Sequence, residues 1–150
     1  MMHQTPDALI PPFSGGAPST ATGWMVAVRG ATSVDEDTPE AIQRAMHSLM
    51  QALAERNGWF EPKANARVVS VWISVTSDLQ TCSAASALRH VLPVWNHIAL
   101  FCAQEPQVRG MLPQVIRVLV LTQWHTPEYP TPMPVYLGAA AQLRPDLLNS

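Results

Sequence analysis

The chain has 150 residues, 47% apolar and 13% charged, which suits a single domain whose core buries roughly 70% of the unfolded surface and argues against a disordered chain or a two-domain enzyme. Nine basic residues against eleven acidic ones give a net charge of −2, so no diffuse attraction for nucleic acid or an anionic membrane is expected. No apolar run reaches the ~18 residues that span a bilayer, and the N-terminus lacks the basic start and apolar middle of a signal peptide, so a cytoplasmic protein is expected.

Residues 1–23 hold four prolines, three glycines and many Ser and Thr, with no period that could bury a face, and read as a disordered extension. The ordered domain, 24–150, begins with a strand, WMVAV, that ends at Arg29 and Gly30. The stretch ATSVDED after it reads as loop. Thr38-Pro39-Glu40 then supplies a cap, a proline at the first helical position and an acid near the positive end of the dipole. Ile42, Ala45, Met46, Leu49, Met50 and Leu53 recur at helical spacing, so this helix runs to about Asn57, where Gly58 stops it.

The β-branched run RVVSVWISVT, 67–76, predicts a strand. Small residues from Ser83 to Ala87, followed by Leu88 and Val91, predict a short helix ended by Pro93, with Arg89 and His90 on its outer side or at an interface. Three further strands are expected in HIALFCA (97–103), VIRVLVLTQ (115–123) and MPVYL (133–137). The proline-rich segment from Pro127 to Pro134 reads as a stiff extended connection. The fold class is therefore mixed α and β (α+β), one sheet covered on one face by helices. With strands this apolar and charge this scarce, identical subunits are expected to cover the other face.

Eight of the nine basic residues are Arg, whose planar fork matches carboxylates in partly buried sites. Arg117 interrupts VIRVLVL on the same face as Leu119 and Leu121. A guanidinium there meets an internal carboxylate, lies at an exposed edge, or waits for an anionic ligand. Arg29 follows an apolar strand and precedes Gly30, which lets backbone or ligand approach closely; taken alone it reads as a surface residue at a strand end. Glu105 reads as a solvated loop residue and Tyr136 as a core or interface aromatic. Cys82 and Cys102 show no CxxC spacing and no adjacent histidines, and the five histidines are scattered, which argues against a disulfide framework, a zinc site and covalent catalysis. Phosphate-loop, GxSxG and HExxH motifs are absent. Arginines, a carboxylate and a phenol remain, a set suited to a small di-acid and to charge separation without proton transfer.

In this order, VRGATSVDEDTPEAI (28–42), SVTSDL (74–79), CAQE (102–105), IRV (116–118), VYL (135–137) and LRPDL (143–147) resemble the AroH-type monofunctional chorismate mutases, over nearly all of the ordered chain. The resemblance implies a homotrimer whose sheets close as a pseudo-barrel, with active sites at the subunit interfaces. It implies the Claisen rearrangement of chorismate to prephenate, within the shikimate pathway of aromatic amino acid biosynthesis, without cofactor, metal or covalent intermediate. By position, Arg117 matches the arginine that reaches the ether oxygen. Arg29 and Tyr136 match groups that hold a substrate carboxylate, and Glu105 and the backbone near Cys102 match those that meet the ring hydroxyl. Arg89 matches an arginine supplied by the neighbouring subunit, and Leu143 and Arg144 match a segment that packs over the ligand. Ser83 and Ser86 stand where the family commonly has Phe and Lys, and Phe101 where it has a small polar residue, so the entrance is expected to be reshaped. Two other readings compete: an enzyme such as a lyase on another chorismate-derived di-acid, and a non-catalytic carboxylate-binding trimer.

Overall fold

The computed structural model describes residues 23–147; apart from Gly23, the expected N-terminal extension lies outside the described residues, as do 148–150. Strands β1 (Trp24–Ser33), β2 (Ala66–Val75), β3 (Ala99–Gln104), β4 (Val115–Trp124) and β5 (Val135–Leu137) and helices α1 (Pro39–Asn57) and α2 (Ala84–Val91) follow the expected order. The α1 start works as read: the Thr38 hydroxyl oxygen accepts from the Ala41 amide at 3.2 Å, with Pro39 in the first turn. Gly58 stops the helix in a left-handed conformation, φ 65°, and its amide reaches the last carbonyls. On α2, Ser83 is the N-cap.

The five strands form one mixed sheet in the order β3-β2-β4-β1-β5, with β4 antiparallel to both its neighbours and β3 and β5 parallel to theirs. Val26, Val28, Val71, Ile73, Val118 and Val120 face α1 and α2 and join Met46, Leu49, Leu53 and Leu88 in a single core. A β-bulge between Val68 and Ser70 lets both Val68 and Val71 face that core. Gly30 is where α1 comes closest: a Cβ there would lie 2.7 Å from Leu53 Cδ1 and 3.1 Å from Leu49 Cδ1. The close approach expected at this glycine is therefore made by the helix, on the core side.

Several boundaries differ from the sequence reading. Ala31, Thr32 and Ser33 are strand rather than loop, because β4 pairs with them on one side and β5 pairs with Ala31 and Thr32 on the other. Arg29 is thus well inside β1 and not at its end. The strand expected from His97 starts at Ala99, since Pro93–His97 forms a 3-10 turn that buries Trp95. Met133 and Pro134 precede β5 and are held from outside the sheet: the Asn57 side chain donates to the Met133 carbonyl and accepts from its amide, each at 2.9 Å. The proline-rich connection has no regular structure, and Trp24 anchors it through Thr126 and an edge-on contact with Tyr129.

The second face of the sheet carries no helix among the described residues, and its side chains fall into rows fixed by the register. One row reads Tyr136–Ala31–Arg117–Ser74–Ala103, and the next Arg29–Leu119–Trp72–Phe101. Met25, Trp72, Phe101 and Leu119 on this face are large, apolar and exposed.

Candidate active site

A cavity of about 520 Å³ opens on the helix-free face, lined by Arg29, Trp72, Phe101, Arg117, Tyr136 and Arg144 among others, a size suited to a small organic ligand. Five strands contribute because the rows run across the whole sheet. Arg117 and Tyr136 share a row with only the buried Ala31 between them, while Arg29 stands diagonally one step away. Leu143 and Arg144 come from the C-terminal turns, which fold back beyond β5 and complete the lining.

The cation in the apolar strand has found a carboxylate. Arg117 Nε lies 2.7 Å from Glu105 Oε1, and Ser74 Oγ, on the strand between them, donates to the same oxygen at 2.7 Å. Glu105 is only 9% exposed, which corrects its reading as a solvated loop residue. The reason is local: the Glu105 amide continues the ladder to the Val75 carbonyl at 2.8 Å, so strand alternation turns its side chain to the face of Phe101 and Ala103. Its Oε2 is buried without a hydrogen-bond partner. A buried carboxylate oxygen in that state has an unfilled acceptor position beside a fixed cation.

The other cations differ. Arg144 makes a bidentate fork to Asp146, at 2.9 and 2.7 Å, which holds the Asp146 carboxyl below its usual range and pins the last turn. Arg29 takes part in neither salt bridge of the described residues. The cavity therefore presents Arg29 beside the paired Arg117 and Arg144, an arrangement for a ligand that carries carboxylates of its own.

The remaining expected residues lie elsewhere. The Cys102 side chain packs against the core on the helix side, and only the neighbouring Phe101 and Ala103 line the cavity from β3. Ser83, Ser86 and Arg89 sit on α2, with Arg89 Nη2 3.5 Å from Ser86 Oγ, and none lines the cavity. Burial, and then Glu40, push the Cys82 thiol above its usual pKa. Sequence reasoning missed Trp72, Ser74 and Leu119. Alternation from Arg117 already pointed to Leu119. The two residues of β2 required the strand order and the bulge. Among the described residues, no cluster of His, Cys, Asp and Glu could hold a metal ion, and no helix is long and apolar enough to cross a membrane.

Comparison with known proteins agrees with this geometry. The family model for chorismate mutase type I matches residues 25–147. The chain is 40% identical over 120 residues to a chorismate mutase, AroH, of Thermus thermophilus, covering 80% of this chain and 93% of that protein. It is 36% identical over 120 residues to the AroH chorismate mutase of Bacillus subtilis (strain 168), covering 80% and 90%. A solved chorismate mutase from Clostridium thermocellum superposes with a TM-score of 0.64 at 32% identity, over 78% of this chain and 98% of that one.

Proposed function

We propose a mechanism from the premise that this chain belongs to the type I chorismate mutase family and is an isomerase of that kind. The reaction rearranges chorismate to prephenate. A C–O ether bond breaks as a C–C bond forms within one molecule, so no proton, electron or acyl group has to be carried, and the reading calls for no cofactor. The catalytic task is to hold the compact reactive conformer and to set positive charge where the ether oxygen becomes negative.

The observation that carries the proposal is Arg117 on the wall of the cavity, held by Glu105, which lies outside that cavity's lining. Glu105, itself held by the Ser74 hydroxyl, holds the guanidinium through Nε, which leaves its terminal N–H groups to donate to the ether oxygen and a substrate carboxylate. The vacant Oε2 of Glu105 accepts from the ring hydroxyl. Arg29 and Tyr136 take a carboxylate. Leu143 and Arg144 pack over the bound molecule and exclude water, which strengthens each charge interaction.

The site is completed in a homotrimer. Arg89 does not line the cavity of its own chain, and the apolar helix-free face needs cover, so Arg89 of the partner subunit reaches the substrate across the interface. Cys102 contributes through its backbone on the edge strand, and Ser83 and Ser86 leave the mouth wider than an aromatic and a lysine would. The cytoplasmic setting expected from the sequence belongs to the same proposal.

The test is loss of chorismate absorbance on adding purified protein, with products separated. Prephenate as the product supports the reading. Pyruvate release identifies a lyase, and binding without turnover identifies a carboxylate-binding trimer; either result sinks the proposed mechanism.

A further inference from the structure

We propose that Trp72 is a substrate-contacting residue of this site, the apolar wall against which the unsaturated ring of chorismate lies, and that Phe101 acts behind it as a buttress; the inference rests on the mutase reading above. Trp72 is 57% exposed and Phe101 58%, yet both point into the cavity that holds Arg29, Arg117, Tyr136 and Arg144. Their rings sit 5.5 Å apart with planes at 51°, a tilted contact in which each fixes the other.

The register separates their roles. Trp72 pairs with Leu119 across the β2–β4 ladder, which makes it the diagonal neighbour of Arg117, about 7–8 Å away between Cα atoms and within reach of an indole. Phe101 pairs with Trp72 on the far side, on edge strand β3, one strand further from the guanidinium. Trp72 is therefore the aromatic nearest Arg117 on that side, and Phe101 touches the ligand less than it touches Trp72.

The chemistry of the ligand fits this division. Its carboxylates and hydroxyl are matched by Arg29, Arg117, Glu105 and Arg144, but its carbocycle offers only π and C–H surface. Leu119, Trp72 and Phe101 form a continuous apolar strip that begins beside Arg29. A ring seated on that strip loses the water that would otherwise screen Arg117. Because the wall contacts ground state and transition state alike, its removal acts mainly on KM.

The experiment uses the full chain and follows indole emission during titration with prephenate, alongside steady-state kinetics and native mass. Wild type is expected to change its emission, and Trp72→Phe to lose that change while keeping most of the turnover. Trp72→Ala is expected to lose about tenfold or more in kcat/KM, chiefly through KM, at unchanged native mass. Phe101→Ala is expected to lose less, and the double variant less than the product of the two. Wild-type kinetics in Trp72→Ala, or an undiminished emission change in Trp72→Phe, overturns the proposal. So does a smaller native mass in Trp72→Ala, which makes Trp72 an assembly contact. Should Trp72→Ala fail to fold, Trp72→Phe decides by the emission criterion and Trp72→Leu by the KM criterion. A wild-type protein that leaves chorismate unchanged overturns the mutase reading itself, whereas an active wild type with indifferent Trp72 variants overturns only this inference.

Discussion

Glu105 holds Arg117 with one oxygen, Oε1 at 2.7 Å from Nε, and keeps the other, Oε2, buried and unpartnered. One carboxylate thus does two things: it fixes a cation that would be costly to leave alone in an apolar strand, and it keeps a buried acceptor position unfilled beside that cation. Fixing the guanidinium before the ligand arrives means that no reorganisation is needed when charge develops.

Arg117→Ala is expected to lower kcat/KM by about 3 kcal/mol or more of transition-state stabilisation, the scale of one preorganised charge donor, with a much smaller loss of prephenate affinity. Replacement by citrulline, neutral and nearly isosteric, should lose most of the rate too. Steady-state kinetics beside a binding titration checks both. Equal losses in rate and binding, or an active citrulline variant, contradict the role.

Glu105→Ala leaves a guanidinium that is one-third exposed without its partner and removes the acceptor of Ser74. A loss of about 1–3 kcal/mol in stability follows, the range for removing a hydrogen-bonded charged group, together with loss of activity. Glu105→Gln retains the shape and the Ser74 bond, so it should recover much of the stability but not the rate. Chemical denaturation of both variants separates the two effects.

The Arg144–Asp146 fork gives a pH dependence with a definite sign. The hydrogen bond from Arg144 holds the Asp146 carboxyl below its usual value, with desolvation opposing it. A depressed carboxylate contributes fully above its unfolded pKa, about 3.9, and its contribution disappears as pH falls through the lower folded value. Ordering of residues 143–147 by the fork should therefore be constant from about pH 5 to 8. Asp146→Asn should raise amide exchange there at neutral pH. The difference between the variant and wild type should close only in strong acid. A difference that instead titrates near neutrality would point to another group.

Gly30→Ala places a methyl group 2.7 Å from Leu53 Cδ1 and 3.1 Å from Val118 Cγ2, in a core where Leu49 and Leu53 are fully buried. The helix has to shift, at a cost of about 1–3 kcal/mol for overpacking. A lower melting temperature is the expected readout. An unchanged one would mean that α1 sits more loosely on β1 than this packing implies.

The elements set by neighbours in sequence were legible without a structure. The Thr38 cap, the period from Ile42 to Leu53 and the Gly58 stop all act within a turn or two, and α1 ends at Asn57 as the pattern predicts. Arg117 was conspicuous because a charge in an apolar strand must be accounted for, wherever the strand lies. Glu105 was not legible as a buried residue, nor was Ser74 as its donor. Their contact with Arg117 exists only because β2 lies between β3 and β4, a pairing made by residues far apart in the chain.

The same reason covers the length of β1, whose last three residues become strand because β4 pairs with all three and β5 with Ala31 and Thr32, and the place of Trp72, which an apolar strand would assign to the core. The bulge at Val68–Ser70 sets which face of β2 meets the helices, and with it the face that carries Trp72. By itself the sequence determined the family resemblance, the helix with its caps and the residue types of the site. Which side chains stand next to one another was decided only by strand order and register, because hydrogen-bonded pairing brings distant segments together and local propensity carries no record of the partner.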